Sequence, residues 1–161
     1  MMKKIMKHNM LLMVSLAVGF SSFAQNAAPI KDVDKLKEQD KVLIESYPNV
    51  FKDATIQSVE PLNDKHTKVS YTMDGVAYES VVNADRADLL LVATCKAIKN
   101  DDLPKLVKDV FTKEVKGKIE QAYLVTTPYS SELYRIDYYT KSKSTTSIFI
   151  DKLGVEQKAP Y

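Results

Sequence analysis

The sequence has no tryptophan, one cysteine, two histidines and four glycines, and each scarcity closes a route to chemistry. A single cysteine, Cys95, cannot form an internal disulfide; in an exported chain an odd cysteine pairs between molecules or stays buried. Cys95 ends the apolar run Leu89-Leu90-Leu91-Val92-Ala93-Thr94, which reads as a buried strand, where a thiol is inert. Beyond the first two dozen residues the one histidine is His66, beside Asp64 in a predicted turn. A catalytic triad needs a positioned nucleophile and base, and a metal site needs several converging ligands. One histidine and one buried cysteine supply neither, so His66 reads as a solvated turn residue and no metal or cofactor is expected. Asp101-Asp102 and the pair Asp85 and Asp88 are explained by helix caps and turns before calcium. The glycines, Gly19, Gly75, Gly117 and Gly154, are too scattered to form a phosphate-cradling loop.

Long apolar runs are missing too. The one candidate, Met10 to Phe20, is 11 residues, well short of the roughly 18–20 needed to span a bilayer. It follows Lys3, Lys4 and Lys7 and precedes Ser22-Phe23-Ala24. A basic start, a short apolar stretch and small residues before a cut form a secretory signal peptide, with cleavage expected between Ala24 and Gln25. Residues 1–24 hold three of the 23 basic side chains and none of the 21 acidic ones, so the remainder carries 20 against 21, a net charge of −1. That balance, with lysines interleaved among acids, excludes an electrostatic case for nucleic acid. The sequence thus predicts an exported protein of the periplasm or cell exterior, with no membrane span after cleavage.

What is present is pattern. Residues 25–31 form a short polar leader with Pro29. A helix is predicted from Asp32, with Val33, Leu36, Leu43, Ile44 and Tyr47 on one face and Pro48 as its stop. Four strands follow, over Ala54–Leu62, His66–Met73, Val76–Asn83 and Leu89–Ile98. Asp74-Gly75 between two alternating runs is a strong hairpin signal, since both turn residues must accept positive φ. The order then restarts. Asn100-Asp101-Asp102 and Pro104 open a second helix carrying Leu103, Leu106, Val107, Val110, Phe111 and Val115, and Gly117 is placed as its C′ residue. Strands are predicted over Lys118–Thr127, Glu132–Thr140, Thr145–Ile150 and Val155–Lys158. Arg86 stands where the second half has Gly154, which predicts different turns.

The mature chain therefore reads as two helix-plus-strands units, residues 32–98 and 99–161, of one compact domain. Antiparallel hairpins with one helix per unit predict an α+β fold. One antiparallel sheet should carry two helices on one face and leave the other open.

The chain resembles the beta-lactamase-inhibitor-protein-like, PepSY-like exported proteins of the Bacteroidetes type. The resemblance rests on Leu89 to Thr94, then Asp102-Leu103-Pro104-Lys105-Leu106-Val107-Lys108-Asp109-Val110, Gly117-Lys118-Ile119, Tyr134-Arg135-Ile136 and Ile150-Asp151-Lys152-Leu153-Gly154. It spans most of residues 32–158 and is better in the second half. It implies an antiparallel sheet with helices on one side and brings no catalytic residues.

No catalytic constellation is found, so a non-enzymatic binding or inhibitor-like module is expected. Its partner would be a protein or peptide of the cell envelope. Alternation in Tyr134–Thr140 places Tyr134, Ile136 and Tyr138 toward the helices and Arg135, Asp137 and Tyr139 outward, with Phe149 joining them from the next strand. Arginine and aromatics on an open sheet face suit binding anchors, so Arg135, Tyr139 and Phe149 are the candidate partner-binding residues. The alternative is a small-ligand carrier with a pocket lined by Tyr71, Tyr78, Tyr134 and Tyr138.

Overall fold

Among the described residues eight antiparallel strands lie side by side in sequence order, each paired with the next. The computed structural model describes residues 36–83, 90–115, 117–129 and 132–161. The signal peptide (1–24), the leader (25–31), the Asp32 cap and the turn at Arg86 lie outside the described residues.

The strands are β1 (Thr55–Pro61), β2 (His66–Met73), β3 (Val76–Asn83), β4 (Leu91–Ile98), β5 (Lys118–Thr126), β6 (Leu133–Tyr139), β7 (Thr145–Asp151) and β8 (Glu156–Gln157). Asp74 and Gly75 adopt φ of 52° and 75°, the two left-handed residues that a tight β2–β3 hairpin requires. The hairpin pairs Met73 with Val76 and continues without a slip to His66 and Asn83.

Among the described residues three α-helices accompany the sheet: α1 (Glu38–Glu45), α2 (Pro48–Phe51) and α3 (Lys105–Glu114). The predicted first helix corresponds to α1, which ends before Pro48, and α2 is a further short helix that the sequence reading lacks. Pro48 does drive Tyr47 out of helical conformation (φ −124°, ψ 59°). The same proline then occupies the first turn of α2, where its missing N–H is harmless. The second helix also starts later than its acidic cap predicts. Asn100–Asp102 forms a separate 3-10 turn, because Pro104 holds Leu103 extended at ψ 135°. The first helical residue is Lys105, and the Pro104 carbonyl accepts the Lys108 N–H at 3.0 Å. Gly117 is not a left-handed cap, since Val115 already leaves the helix in extended conformation. Its role is close approach: a Cβ there would lie 2.7 Å from Tyr138 Cδ2 and 2.9 Å from the Tyr139 carbonyl oxygen.

Register decides what shares a face, because directly opposed residues point the same way. Tyr78, Lys96, Leu124, Tyr134 and Ile150 form one such row. On that side α1 and α2 place Ile44, Tyr47 and Phe51 against Ile56, Val69, Tyr71 and Val82. On the same side α3 places Leu103, Val107 and Phe111 against Ala122, Ile136, Ile148 and Ile150. Phe51 meets Tyr71 edge-on at 5.2 Å, and Phe111 meets Tyr138 at 5.5 Å. Ser70, Glu79, Cys95, Val125 and Leu133 form the opposing row.

Gly117→Ala should lower unfolding free energy by about 1–3 kcal/mol through the forced contact with Tyr138 and the β6 backbone. Gly75→Ala, where nothing lies within 4 Å of the added carbon, should lose only the left-handed penalty of about 1 kcal/mol. Urea denaturation of the two variants beside the wild type measures the difference.

Candidate functional site

On the face opposite the helices, β4 presents small side chains, Ala93, Cys95 and Ala97, all turned to the same side. Small residues in mid-sheet leave room for a long side chain to lie flat. Arg135 of β6 takes that room. Its Nη2 reaches Glu79 Oε2 of β3 at 2.7 Å, across three strand spacings, roughly 14 Å of sheet. Its Nε lies 3.1 Å from Asp137 Oδ1, and Nη2 donates to Asp137 Oδ2 at 3.2 Å. The guanidinium carbon sits 3.9 Å from the centroid of the Tyr123 ring, within cation–π range. Nη1 lies 3.8 Å from Cys95 Sγ and donates to the Tyr161 hydroxyl at 3.3 Å. Ser147 donates to Asp137 Oδ1 at 2.7 Å. Tyr161 meets the ring of Phe149 edge-on at 5.9 Å.

The cluster is buried, and its proton affinities follow. Burial pushes the Asp137 carboxyl above the usual aspartate value, with Arg135 and Ser147 opposing that rise. Burial pushes the Cys95 thiol up to about 11, again against the pull of Arg135, so the thiol is un-ionised at neutral pH and a poor nucleophile. The phenols of Tyr123 and Tyr161 are raised by burial as well. Burial opposes the charge on Arg135, and its neighbours, Glu79 and Asp137 among them, outweigh it. The arrangement holds a fixed positive charge and an aromatic ring in place.

Arg135, Tyr139 and Phe149 do share this face, and Arg135 is cross-strand partner to Phe149. The expectation that all three are outward anchors is corrected. Arg135 is 1% exposed and Phe149 6%, whereas Tyr139 is 41% exposed. The reason is lateral packing: Arg135 lies down on β4, and Tyr161 covers it together with Phe149. Tyr139 stands at the rim, where its hydroxyl donates to Glu120 Oε1 at 2.6 Å, and Thr145 donates to the other Glu120 oxygen at 3.0 Å. Glu79, Tyr123 and Tyr161 were missed by sequence reasoning. Their shared signal is strand order, which brings β3, β5 and the segment after β8 to one guanidinium.

The four tyrosines of the carrier alternative do not line one cavity. Tyr71 and Tyr78 stack at 5.4 Å in the core under α1 and α2. Tyr134 and Tyr138 pack against the core under α3. His66 opens β2, and among the described residues no group of three or more His, Cys, Asp or Glu could hold a metal ion. Asp85 and Asp88 lie outside the described residues.

No protein-family model matches the chain, and no curated protein matches it. Solved structures share its fold. A DUF2874 family protein from Bacteroides uniformis superposes with a TM-score of 0.56 at 11% identity, covering 76% of this chain and 87% of that one. A candidate periplasmic protein from Bacteroides eggerthii gives 0.54 at 13% identity, covering 76% and 86%. A BLIP-like protein from Bacteroides fragilis gives 0.52 at 15% identity, covering 79% and 89%. At these identities the likeness is one of fold.

Arg135→Met leaves two carboxylates buried without their cation and should destabilise by about 3–5 kcal/mol in urea. Adding Glu79→Gln and Asp137→Asn should recover most of that loss. The two aspartates should differ in pH dependence. Asp137 binds its proton more tightly when folded, so its contribution is full below the ordinary value of 3.8 and fades as pH rises through the raised value. Asp151 is held below 3.8, chiefly by the Val155 N–H, so its contribution is full above 3.8 and fades as pH falls. The stability advantage of wild type over Asp137→Asn should shrink with rising pH, and that over Asp151→Asn with falling pH, in unfolding curves taken across the acid range.

Proposed function

We propose that the chain is an exported, non-enzymatic binding module that engages a protein or peptide of the cell envelope through the sheet face centred on Arg135. One observation carries this reading. Among the described residues, the cluster on that face is built from strand residues and Tyr161, with no helix contributing, yet it concentrates charge and aromatic rings. Plain structural surfaces seldom spend a buried arginine and two carboxylates where apolar residues would serve as well. The rim residue Tyr139, with Lys118 opposite it on β5, is the accessible contact; Arg135 and Phe149 form the floor behind it.

Export rests on the Lys3-to-Ala24 pattern, with cleavage between Ala24 and Gln25, and is supported by the periplasmic description of one fold neighbour. Among the described residues no helix is long and apolar enough to cross a membrane. The BLIP-like description of another neighbour favours protein binding as the use of the sheet, without naming a target. Within this reading residues 32–98 and 99–161 are two helix-plus-strands halves of one module. Each half buries its helices on one side of the shared sheet and keeps the other side for partners.

A photo-crosslinking amino acid at position 139 should give discrete protein adducts in the native host. The same group at Leu106, exposed on α3, should not. Adducts at 106 and none at 139 would move the binding surface to the helix side. Tyr139→Ala should weaken capture of the crosslinked partner about tenfold, the loss expected of an aromatic anchor.

A further inference from the structure

The chain beyond β8 is held differently from the rest of the fold. β8 pairs through two residues only, Glu156 with Ile150 and Gln157 with Phe149. Residues 158–161 make no backbone hydrogen bond to any described residue, and Lys158 and Ala159 are exposed. What fastens this segment is one side chain. The Tyr161 ring packs edge-on against Phe149 and its hydroxyl accepts from Arg135 Nη1. The ring sits in a site that β3, β5 and β6 assemble without it, since Glu79, Tyr123 and Asp137 already fix the guanidinium.

We infer that this is a phenol-binding site whose resident occupant, Tyr161, is exchangeable, and that a tyrosine on an extended segment of a partner takes its place. The occupant observed defines the ligand class. It is a tyrosine on a segment outside regular structure, preceded by Pro160, whose hydroxyl accepts from Arg135 and whose ring packs on the buried cluster, edge-on to Phe149. A guanidinium offers donors and no acceptor, so it selects a hydroxyl that accepts over a bare ring. No backbone hydrogen bond to a described residue has to break for the segment to leave, and a longer partner strand gains the outer edge of β7 beside the site, Thr145 to Ile148, which no described strand pairs. This deepens the binding reading above and rests on it for its biological use.

The probe is the peptide Ac-Lys-Ala-Pro-Tyr-NH2, the chain's own segment supplied in trans. Fluorescently labelled, it should bind the full chain carrying Tyr161→Ala at least tenfold more tightly than wild type, in which Tyr161 competes. Ac-Lys-Ala-Pro-Ala-NH2 should bind Tyr161→Ala at least tenfold more weakly than the tyrosine peptide. Equal binding of the two peptides, or none to a folded Tyr161→Ala chain, overturns the inference. A Tyr161→Ala chain that circular dichroism shows to be unfolded also overturns it, because the ring is then core and not ligand. Free p-cresol binding as tightly as the tyrosine peptide overturns the extended-segment assignment in favour of a small phenol. The unaltered protein provides a second measurement: excess tyrosine peptide should move the Tyr161 ring resonances to those of a solvated tyrosine, and unmoved resonances count against exchange. Adducts at position 139 together with no peptide binding would sink this site while leaving the binding face standing.

Discussion

The guanidinium of Arg135 is the constraint from which the second face takes its form. A cation that is 1% exposed must be neutralised and hydrogen-bonded where it lies. Its partners come from its own strand, from β3, β4 and β5 and from Tyr161, so β3 to β6 must hold one relative position for all of them to meet. A one-residue slip of β6 would turn Arg135 into the apolar core under α3 and bring Ile136 to Glu79. The pair therefore contributes to register more than to net stability, since buried ion pairs are seldom better than apolar packing. The small side chains of β4, Ala93, Cys95 and Ala97, suit a guanidinium that lies against Cys95.

The helix side works by a different rule. There the apolar residues of α1 and α2 and those of α3 meet two separate stretches of sheet, each centred on a phenylalanine set edge-on to a tyrosine. Between them lies Lys96, exposed on the same face. Two modest cores on one sheet keep both ends of the meander flat against helices. The polar lattice on the reverse joins them through the middle strands.

Local features were legible in the sequence and distant ones were not. Asp74-Gly75 forms the tight hairpin that its chemistry requires, and the alternation of Tyr134–Tyr139 places every side chain on the face it implied. Pro48 follows the end of α1, as its chemistry implies, and also starts α2, while Pro104 delays α3, because each acts on the residue before it. Gly117 looked like a helix cap from its position, but its reason lies across the sheet in Tyr138. The candidate site was half legible. Arg135, Tyr139 and Phe149 share one face, as the alternation implies; the burial of Arg135 and Phe149 is not legible, because no local pattern reveals that Glu79, 56 positions upstream of Arg135 in the numbering, reaches it. Tyr161 was likewise invisible as a neighbour of Phe149, since it reaches that ring through a segment without regular structure.

The neighbour-to-neighbour order of β1 through β8 has a kinetic consequence. Every backbone ladder in the sheet closes a loop between consecutive strands, so the sheet can be assembled one strand at a time as the chain emerges, without waiting for a distant partner. The pairing of Arg135 with Glu79 is of another kind: it can close only when β4 and β5 have been laid between them. Zippering and locking are thus separate events in this chain, and the second reports that the first was done in register.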